Sequence, residues 1–173
     1  MTPTIEIVDG EAGWHESETL DRICYPPEVM ATVVWRDVVW AHASKRIFVR
    51  LDGTTACHVG IYFRQAKDGR RDVYVAGIGG VMTLPSAQRL GCASCAMQSA
   101  AQLMQRLGCD FGLLFCEGHN IAFYERLAWQ RFEGAVFCEQ PEGRVQFDLM
   151  HTMVLPVASA PRANVIDLCG LPW

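Results

Sequence analysis

Apolar and polar residues alternate along Thr4-Ile-Glu-Ile-Val8, the period of a half-buried strand, which Asp9-Gly10 ends. From Trp14 to Cys24 the spacing becomes helical, with Ser17 or Glu18 near the start. Pro26-Pro27 interrupts it before a second short helix over 28–34. Runs at 47–51 and 56–63 flank Asp52-Gly53 as a hairpin, and the polar turn 67–71 leads into a strand over 72–78. The apolar run continues past Ile78, breaks at Pro85 and re-emerges at Gln88 as a helix. Ala96, Met97, Ala100, Leu103, Met104 and Leu107 recur along it at helical spacing. A short buried strand follows at 110–116, then a hairpin of 134–138 with 145–150 around the turn 141–144, and an apolar strand at 151–157. The pattern predicts an antiparallel meander leading into a central strand, and a length of 173 residues fits a single domain over 1–173. It contains no repeat, low-complexity tract or linker.

The junction at 78–98 holds the first candidate chemistry. The first turn of a helix carries N–H groups without intrahelical partners, and its dipole favours negative charge. Gly91, Ala93 and Ser94 are small enough to let a diphosphate approach the backbone, and Arg89 can add a counter-charge. Strand, tight turn and helix together make a phosphate cradle.

Gln88-x-x-Gly91-x-Ala93 resembles the (Arg/Gln)-x-x-Gly-x-(Gly/Ala) acyl-CoA pyrophosphate signature of the GNAT superfamily of N-acetyltransferases. A second motif follows one helix and one strand later. Asn120, Phe123, Tyr124 and Trp129 are in register with that family's Asn-x-x-Ala-x-x-(Phe/Tyr)-Tyr-x-x-x-Gly-(Phe/Tyr), with Ala128 where the family usually has Gly. The resemblance implies an α+β GNAT fold: a central mixed, mostly antiparallel sheet of about seven strands flanked by about four helices. It also implies acetyl-CoA as co-substrate, held by Gln88, Arg89, Leu90, Gly91, Cys92, Ala93 and Ser94 at the pyrophosphate, by the backbone of Val81, Met82 and Thr83 along the pantetheine, and by Asn120.

Two GNAT branches, the aminoglycoside 2'-N-acetyltransferases and the nodulation protein A acyltransferases, look similar over most of the chain. Ala56-Cys-His58-Val-Gly60 resembles their third strand, and Trp40-Ala-x-Ala43 the nodulation protein. Asn164-Val-Ile-Asp167 with Gly170 resembles the nodulation ending, and Gly170-Leu-Pro-Trp173 the aminoglycoside one. Both branches acylate amino groups of aminosugars, which makes a small-molecule amine the implied partner. A longer-chain acyl donor and a catalytically silent acyl-CoA-binding module stay open as alternatives, and dimers are common in the superfamily.

Net charge of −4 argues against nucleic acid, whose phosphates want a basic face, and fits a cationic acceptor better. No apolar run reaches membrane-spanning length and no basic-apolar leader opens the chain, so a cytoplasmic protein is expected. In that compartment the eight cysteines are expected to be reduced, mostly as small core residues. Cys92-x-x-Cys95 with Cys116-x-x-His119 has zinc-like spacing, but Cys92 and Cys95 fall on a helix flanked by Ala and Met, and no metal is assigned.

Acyl transfer from a thioester to an amine needs a deprotonated amine, a polarised carbonyl and a proton for the departing thiolate. Tyr124 aligns with the family's tyrosine near the sulfur and is the expected general acid. Trp35, Asp37 and Trp40 are candidates for holding the acceptor, or else the two tryptophans are core. Asp148, Asp167 and Trp173 could form a negative rim. The aminoglycoside enzymes carry a Glu on the fourth strand where this chain has Gly79. The base is therefore open among water, Asp37, His58, Glu117 and His119.

Overall fold

The computed structural model describes residues 3–173. Strands β1 (Thr4–Asp9), β2 (Lys45–Leu51), β3 (Thr54–Asp68) and β4 (Arg71–Thr83) form an antiparallel meander. Helices α1 (Trp14–Cys24) and α2 (Pro27–Met30) lie between β1 and β2. Pro27 opens α2 at its first position, where a missing N–H does no harm, and turns replace helix beyond Met30. The expected helix over 28–34 is thus shorter and one residue earlier.

After β4 come a 3-10 turn (Pro85–Ala87), α3 (Cys92–Arg106) and β5 (Phe111–Cys116), which returns parallel to β4. A second 3-10 turn (Gly118–Asn120) and α4 (Ile121–Glu125) lead to β6 (Gln130–Phe132), β7 (Ala135–Gln140), β8 (Gly143–Gln146), β9 (His151–Pro156) and β10 (Val165–Asp167). The sheet runs β6-β9-β5-β4-β3-β10-β7-β8, with β2 and then β1 added on β3. This is the expected α+β mixed sheet with four helices, in ten strands rather than about seven. The difference comes from short strands such as β10, where only Ile166 of three residues is fully buried and the apolar signal is one residue long.

Helix α3 does not begin at Gln88. Arg89 and Gly91 have φ of +63° and +81°, left-handed values that no α-helix accepts, so the helix starts at Cys92 with Gly91 as its cap. Ala96, Met97, Ala100 and Met104 bury its inner face against Ile47, Val49, Val59, Ile61, Ala76 and Ile78. The opposite face of the sheet carries a second core of Val73, Val75, Phe111, Leu113, Phe115, Phe147, Ile166, Leu168 and Trp173.

Two features open the sheet at its centre. Strand β4 pairs with β5 only from Val75 to Ile78, against Phe111 to Leu114, and beyond that the two diverge. On its other edge β4 slips register against β3 between His58 and Gly60, with Gly80 at φ +55° in the bulge. A bulge bends and twists its strand, so Gly79–Thr83 swings away from β5 and leaves one edge without a strand partner.

Candidate active site

The wedge between β4 and β5 is the mouth of a cavity of about 410 Å³. Its floor is Ile78, Gly79, Gly80, Val81 and Met82 from β4 with Phe115, Cys116 and Glu117 at the end of β5. Trp14, Ser17, Glu18 and Asp21, spaced three and four apart, form one face of α1 along one wall, and Tyr25 continues it. The segment between α2 and β2 supplies Val33, Trp35, Trp40, Ala41 and His42. Arg46, His58 and Tyr62 close the back, and Asn120, Tyr124, Met150 and Trp173 complete the lining.

Tyr124 is buried to 6% exposure and its hydroxyl has no hydrogen-bond partner among the described residues. Burial, and then the nearby thiol of Cys116, push its pKa above the ordinary phenol value, so at neutral pH it holds its proton. Its ring packs edge-on against Phe123 and Trp129, at 5.0 and 6.4 Å between centroids, which fixes its orientation.

His58 is almost fully buried. Its Nδ1 lies 2.7 Å from the Gly80 carbonyl and its Nε2 3.2 Å from Arg46 Nη1. Since a carbonyl only accepts and a guanidinium only donates, His58 is a neutral ring with Nδ1–H donating and Nε2 accepting. Burial lowers its pKa to about 4, the Gly80 hydrogen bond opposing and the Arg46 charge assisting. Both nitrogens are engaged, which removes His58 from the expected bases.

The other expected bases separate by position. Asp37 is 92% exposed and pairs with Arg36 outside the cavity. His119 is 72% exposed and also outside the lining, 3.7 Å from Glu117. Glu117 does line the cavity, as do Glu18 and Asp21, two carboxylates that no motif singles out. Asp21 is held above the usual carboxylate range by burial and then by the like charge of Glu18.

Of the expected acceptor residues, Trp35, Trp40 and Trp173 line the cavity. Tyr25, Trp35 and Trp40 form a chain of edge-to-face contacts at 5.4 and 6.0 Å. Asp148 and Asp167 do not join them. Asp148 lines a separate depression with Arg131 and His151, and Asp167 leaves β10 beside Arg144, bonded to it through Oδ2. β10 joins the far ends of β3 and β7, away from the wedge, which is why neither acid reaches the acceptor side.

Among the residues expected at acetyl-CoA, Val81, Met82 and Asn120 line the cavity. Thr83 follows on the same strand, its hydroxyl on Cys57 Sγ at 3.3 Å. Gln88, Arg89, Leu90 and Gly91 are exposed in the turn before α3. Cys92 is buried, and Ala93 and Ser94 are half-buried in its first turn. The first carbonyl used by the helix is that of Gly91, which accepts from Cys95 N at 3.0 Å. The N–H groups of Cys92, Ala93 and Ser94 therefore point out of the helix end, and a Cβ at Gly91 would meet no atom within 4 Å. An open cap, free donors and the unpaired β4 edge fit a pyrophosphate and a pantetheine arm. Cys92 is not an activated thiol, because burial raises its pKa above the ordinary value despite the helix end. All eight cysteines are free, and among the described residues no three His, Cys, Asp or Glu side chains come together as a metal site.

A family model settles what this geometry belongs to: the acetyltransferase (GNAT) family model matches residues 14–129. The chain is a GNAT acyltransferase. Acetyl-CoA is the co-substrate of the GNAT family. The fold is shared with a GNAT family N-acetyltransferase, YhbS, of Escherichia coli in complex with CoA. The TM-score is 0.65 at 12% identity, over 96% of this chain and 89% of that one. It is shared likewise with the ribosomal-protein-S18-alanine N-acetyltransferase of Escherichia coli, at TM-score 0.57 and 15% identity over 92% and 96%. Eis1 of Mycobacterium abscessus gives 0.58 at 12% identity over 78% of this chain, which spans only 32% of the length of Eis1. No curated protein matches this GNAT chain by sequence. Among its described residues no helix is long and apolar enough to cross a membrane.

Proposed function

We propose that this GNAT enzyme transfers the acetyl group of acetyl-CoA to a primary amine of a small molecule, an aminosugar or aminoglycoside-like acceptor, by direct attack with both substrates bound. The observation that carries the reading is the composition of one cavity. Beside the buried Tyr124 it sets the aromatic wall Tyr25, Trp35 and Trp40 and the carboxylates Glu18, Asp21 and Glu117. Aromatic faces suit the C–H surface of a sugar ring, and carboxylates draw an ammonium group. A volume of about 410 Å³ is at the small end of ligand sites.

In the reaction the amine nitrogen forms a bond to the acetyl carbon as the carbon–sulfur bond breaks. The acidic side chains take the amine's proton, Glu117 directly or through water. Tyr124, kept protonated by burial, gives its proton to the departing sulfur and regains one from solvent. The unpaired β4 edge at Val81 and Met82 supplies an N–H toward the carbonyl. A cytoplasmic setting is part of the proposal, since eight unpaired thiols suit a reducing compartment.

Thiol release from acetyl-CoA against a panel of aminoglycosides, aminosugars and polyamines tests it. Turnover on an aminosugar supports the reading. Turnover only with longer acyl donors redirects it to the nodulation type of acyltransferase, and binding of acetyl-CoA without turnover on any amine contradicts it.

A further inference from the structure

Arg46 is 4% exposed, yet its side chain lines the acceptor cavity. Its contacts account for only part of the guanidinium. Nε donates to the Gly10 carbonyl at 2.8 Å, Nη1 donates to His58 Nε2 at 3.2 Å, and the plane stacks on Trp14 with Cζ 5.1 Å from the ring centroid. Nη2 has no hydrogen-bond partner among the described residues but is not sealed from solvent, and no carboxylate forms an ion pair with Arg46. Arg64 also has no carboxylate partner, but it lies outside the cavity and donates from Nη1 to the Leu168 and Leu171 carbonyls. Arg50 is locked between Glu6 and Glu16, and Arg71 pairs with the buried Asp68.

A guanidinium stays charged in proteins, and a buried charge without a counter-charge is held at a large desolvation penalty. Here burial outweighs the attraction of Glu11, a carboxylate that makes no hydrogen bond or ion pair with Arg46. His58 is neutral, and it and the Gly10 carbonyl supply dipoles that orient the fork without neutralising it. Rigid support on three sides with one edge turned to an open cavity is the arrangement of a group waiting for an anion. The Gly10 carbonyl is itself fixed by crowding, since a Cβ at Gly10 would lie 1.7 Å from the Ala43 carbonyl oxygen. The carboxylates Glu18, Asp21 and Glu117 line the same cavity and none of them forms an ion pair with Arg46. Arg46 also sits two hydrogen bonds from the Gly80 bulge, through His58, and so within a small molecule's reach of the splayed strands.

We propose that Arg46 is an acceptor-binding residue that receives an anionic group, a carboxylate or phosphate, so that the acceptor is an amine carrying a negative charge of its own. The proposal rests on the reading of the cavity as an amine-acceptor site and narrows it. An amphoteric acceptor would lie with its ammonium among the carboxylates and its anion on Arg46, which orients the nitrogen toward the wedge. A purely cationic polyamine would leave Arg46 uncompensated.

The test compares acceptors in pairs that differ only in the anion: glucosamine with glucosamine 6-phosphate, and β-alanine with β-alaninamide. kcat/KM is taken from thiol release, and in parallel the melting temperature with CoA plus inorganic phosphate or an N-acetylated amino acid. The anionic member of at least one pair is expected to exceed its partner by tenfold or more, and which pair does so tells phosphate from carboxylate. In Arg46→Met that ratio collapses toward one, and Arg46→Lys, which keeps the charge without the fork, retains part of it. Equal rates within both pairs, or preference for the neutral member, would overturn the proposal. If no amine at all is turned over, the acceptor reading fails, and Arg46 is then judged on the melting shift alone. A rise with the anion in the wild type that Arg46→Lys keeps and Arg46→Met loses supports anion binding. No rise in the wild type overturns it even where Arg46→Met does not fold.

Discussion

The main chain of Trp173 occupies the space a side chain at Gly79 would enter: a Cβ there would lie 2.8 Å from the Trp173 carbonyl carbon. The indole of the same residue fills the place of a side chain at Gly77, where a Cβ would come within 2.0 Å of it, and donates from Nε1 to the Leu113 carbonyl at 2.9 Å. Tyr62 stacks on it with centroids 6.0 Å apart, and Arg64 lies over the ring at 5.1 Å. Trp173 thus braces β4 to β5 just where the two begin to part. Gly79, where the resemblance to the aminoglycoside branch would put a Glu, is the steric counterpart of this plug. Restoring the acid by Gly79→Glu should therefore install no base. Overpacking against backbone is expected to destabilise by about 1–3 kcal/mol, read as a lower urea midpoint, with no gain in kcat. A faster enzyme of unchanged stability would show that the tail yields.

Gly91 caps α3 at φ +81° with open space ahead of it. Gly91→Ala meets no atom but forces a side chain into a left-handed conformation and into the approach of the pyrophosphate. A stability loss of about 1 kcal/mol is expected, together with a rise of several-fold in the KM for acetyl-CoA and little change in kcat. Titration calorimetry with CoA checks the binding part, and unchanged CoA affinity would move the pyrophosphate away from this cap.

Ala128 stands where the resemblance expects Gly, and it adopts φ +68°. The backbone has kept the conformation while the residue has changed, so strain is stored beside the buried Trp129. Ala128→Gly should stabilise by roughly 0.5–1 kcal/mol, the left-handed penalty less the entropy of a freer unfolded chain. Thermal unfolding of the pair decides it, and a lower melting temperature for the glycine variant would contradict it.

His58 makes stability fall in acid. Its pKa is about 4 in the folded protein, chiefly because it is buried, and near 6.5 when unfolded. Between those values the unfolded chain binds a proton that the native ring refuses, so stability is complete above about pH 6.5 and is lost as pH falls toward 4. That loss amounts to about 3 kcal/mol from this group. Asp68 and Glu16, held below their usual values despite burial, steepen the same trend at lower pH. The relevant measurement is the difference in unfolding free energy between wild type and His58→Gln from pH 7.5 to 4. A difference that does not vary with pH would show that His58 titrates normally.

Much of the fold could be read from the chain because its signals are local. The period-two runs of β1 to β4, the 3.6-residue spacing of α3 and the apolar strand before Glu117 each announce one element. Tyr124, Asn120 and the Gly91 cap were legible through two short motifs. The remaining lining was not, because it depends on which sheet edges meet. Asp167 looks like a rim acid until β10 proves to pair with β3 and β7. Arg46 looks like the polar start of a strand until α1 folds Trp14 over it. The acidic face of α1 shows only once residues 14, 17, 18 and 21 are seen to point into a wedge made by a bulge at Gly80, a feature of pairing rather than of sequence.

The central claim is that a buried, protonated Tyr124 at the mouth of the wedge delivers the proton to the departing thiolate. The most direct measurement is kcat for thiol release by Tyr124→Phe beside the wild type, with CoA affinity followed by calorimetry on the same samples. A fall in kcat of about 10²–10⁴-fold is expected, the range of a lost general acid, with CoA affinity within a few-fold of wild type. A kcat that stays within a few-fold of wild type while CoA still binds would contradict it.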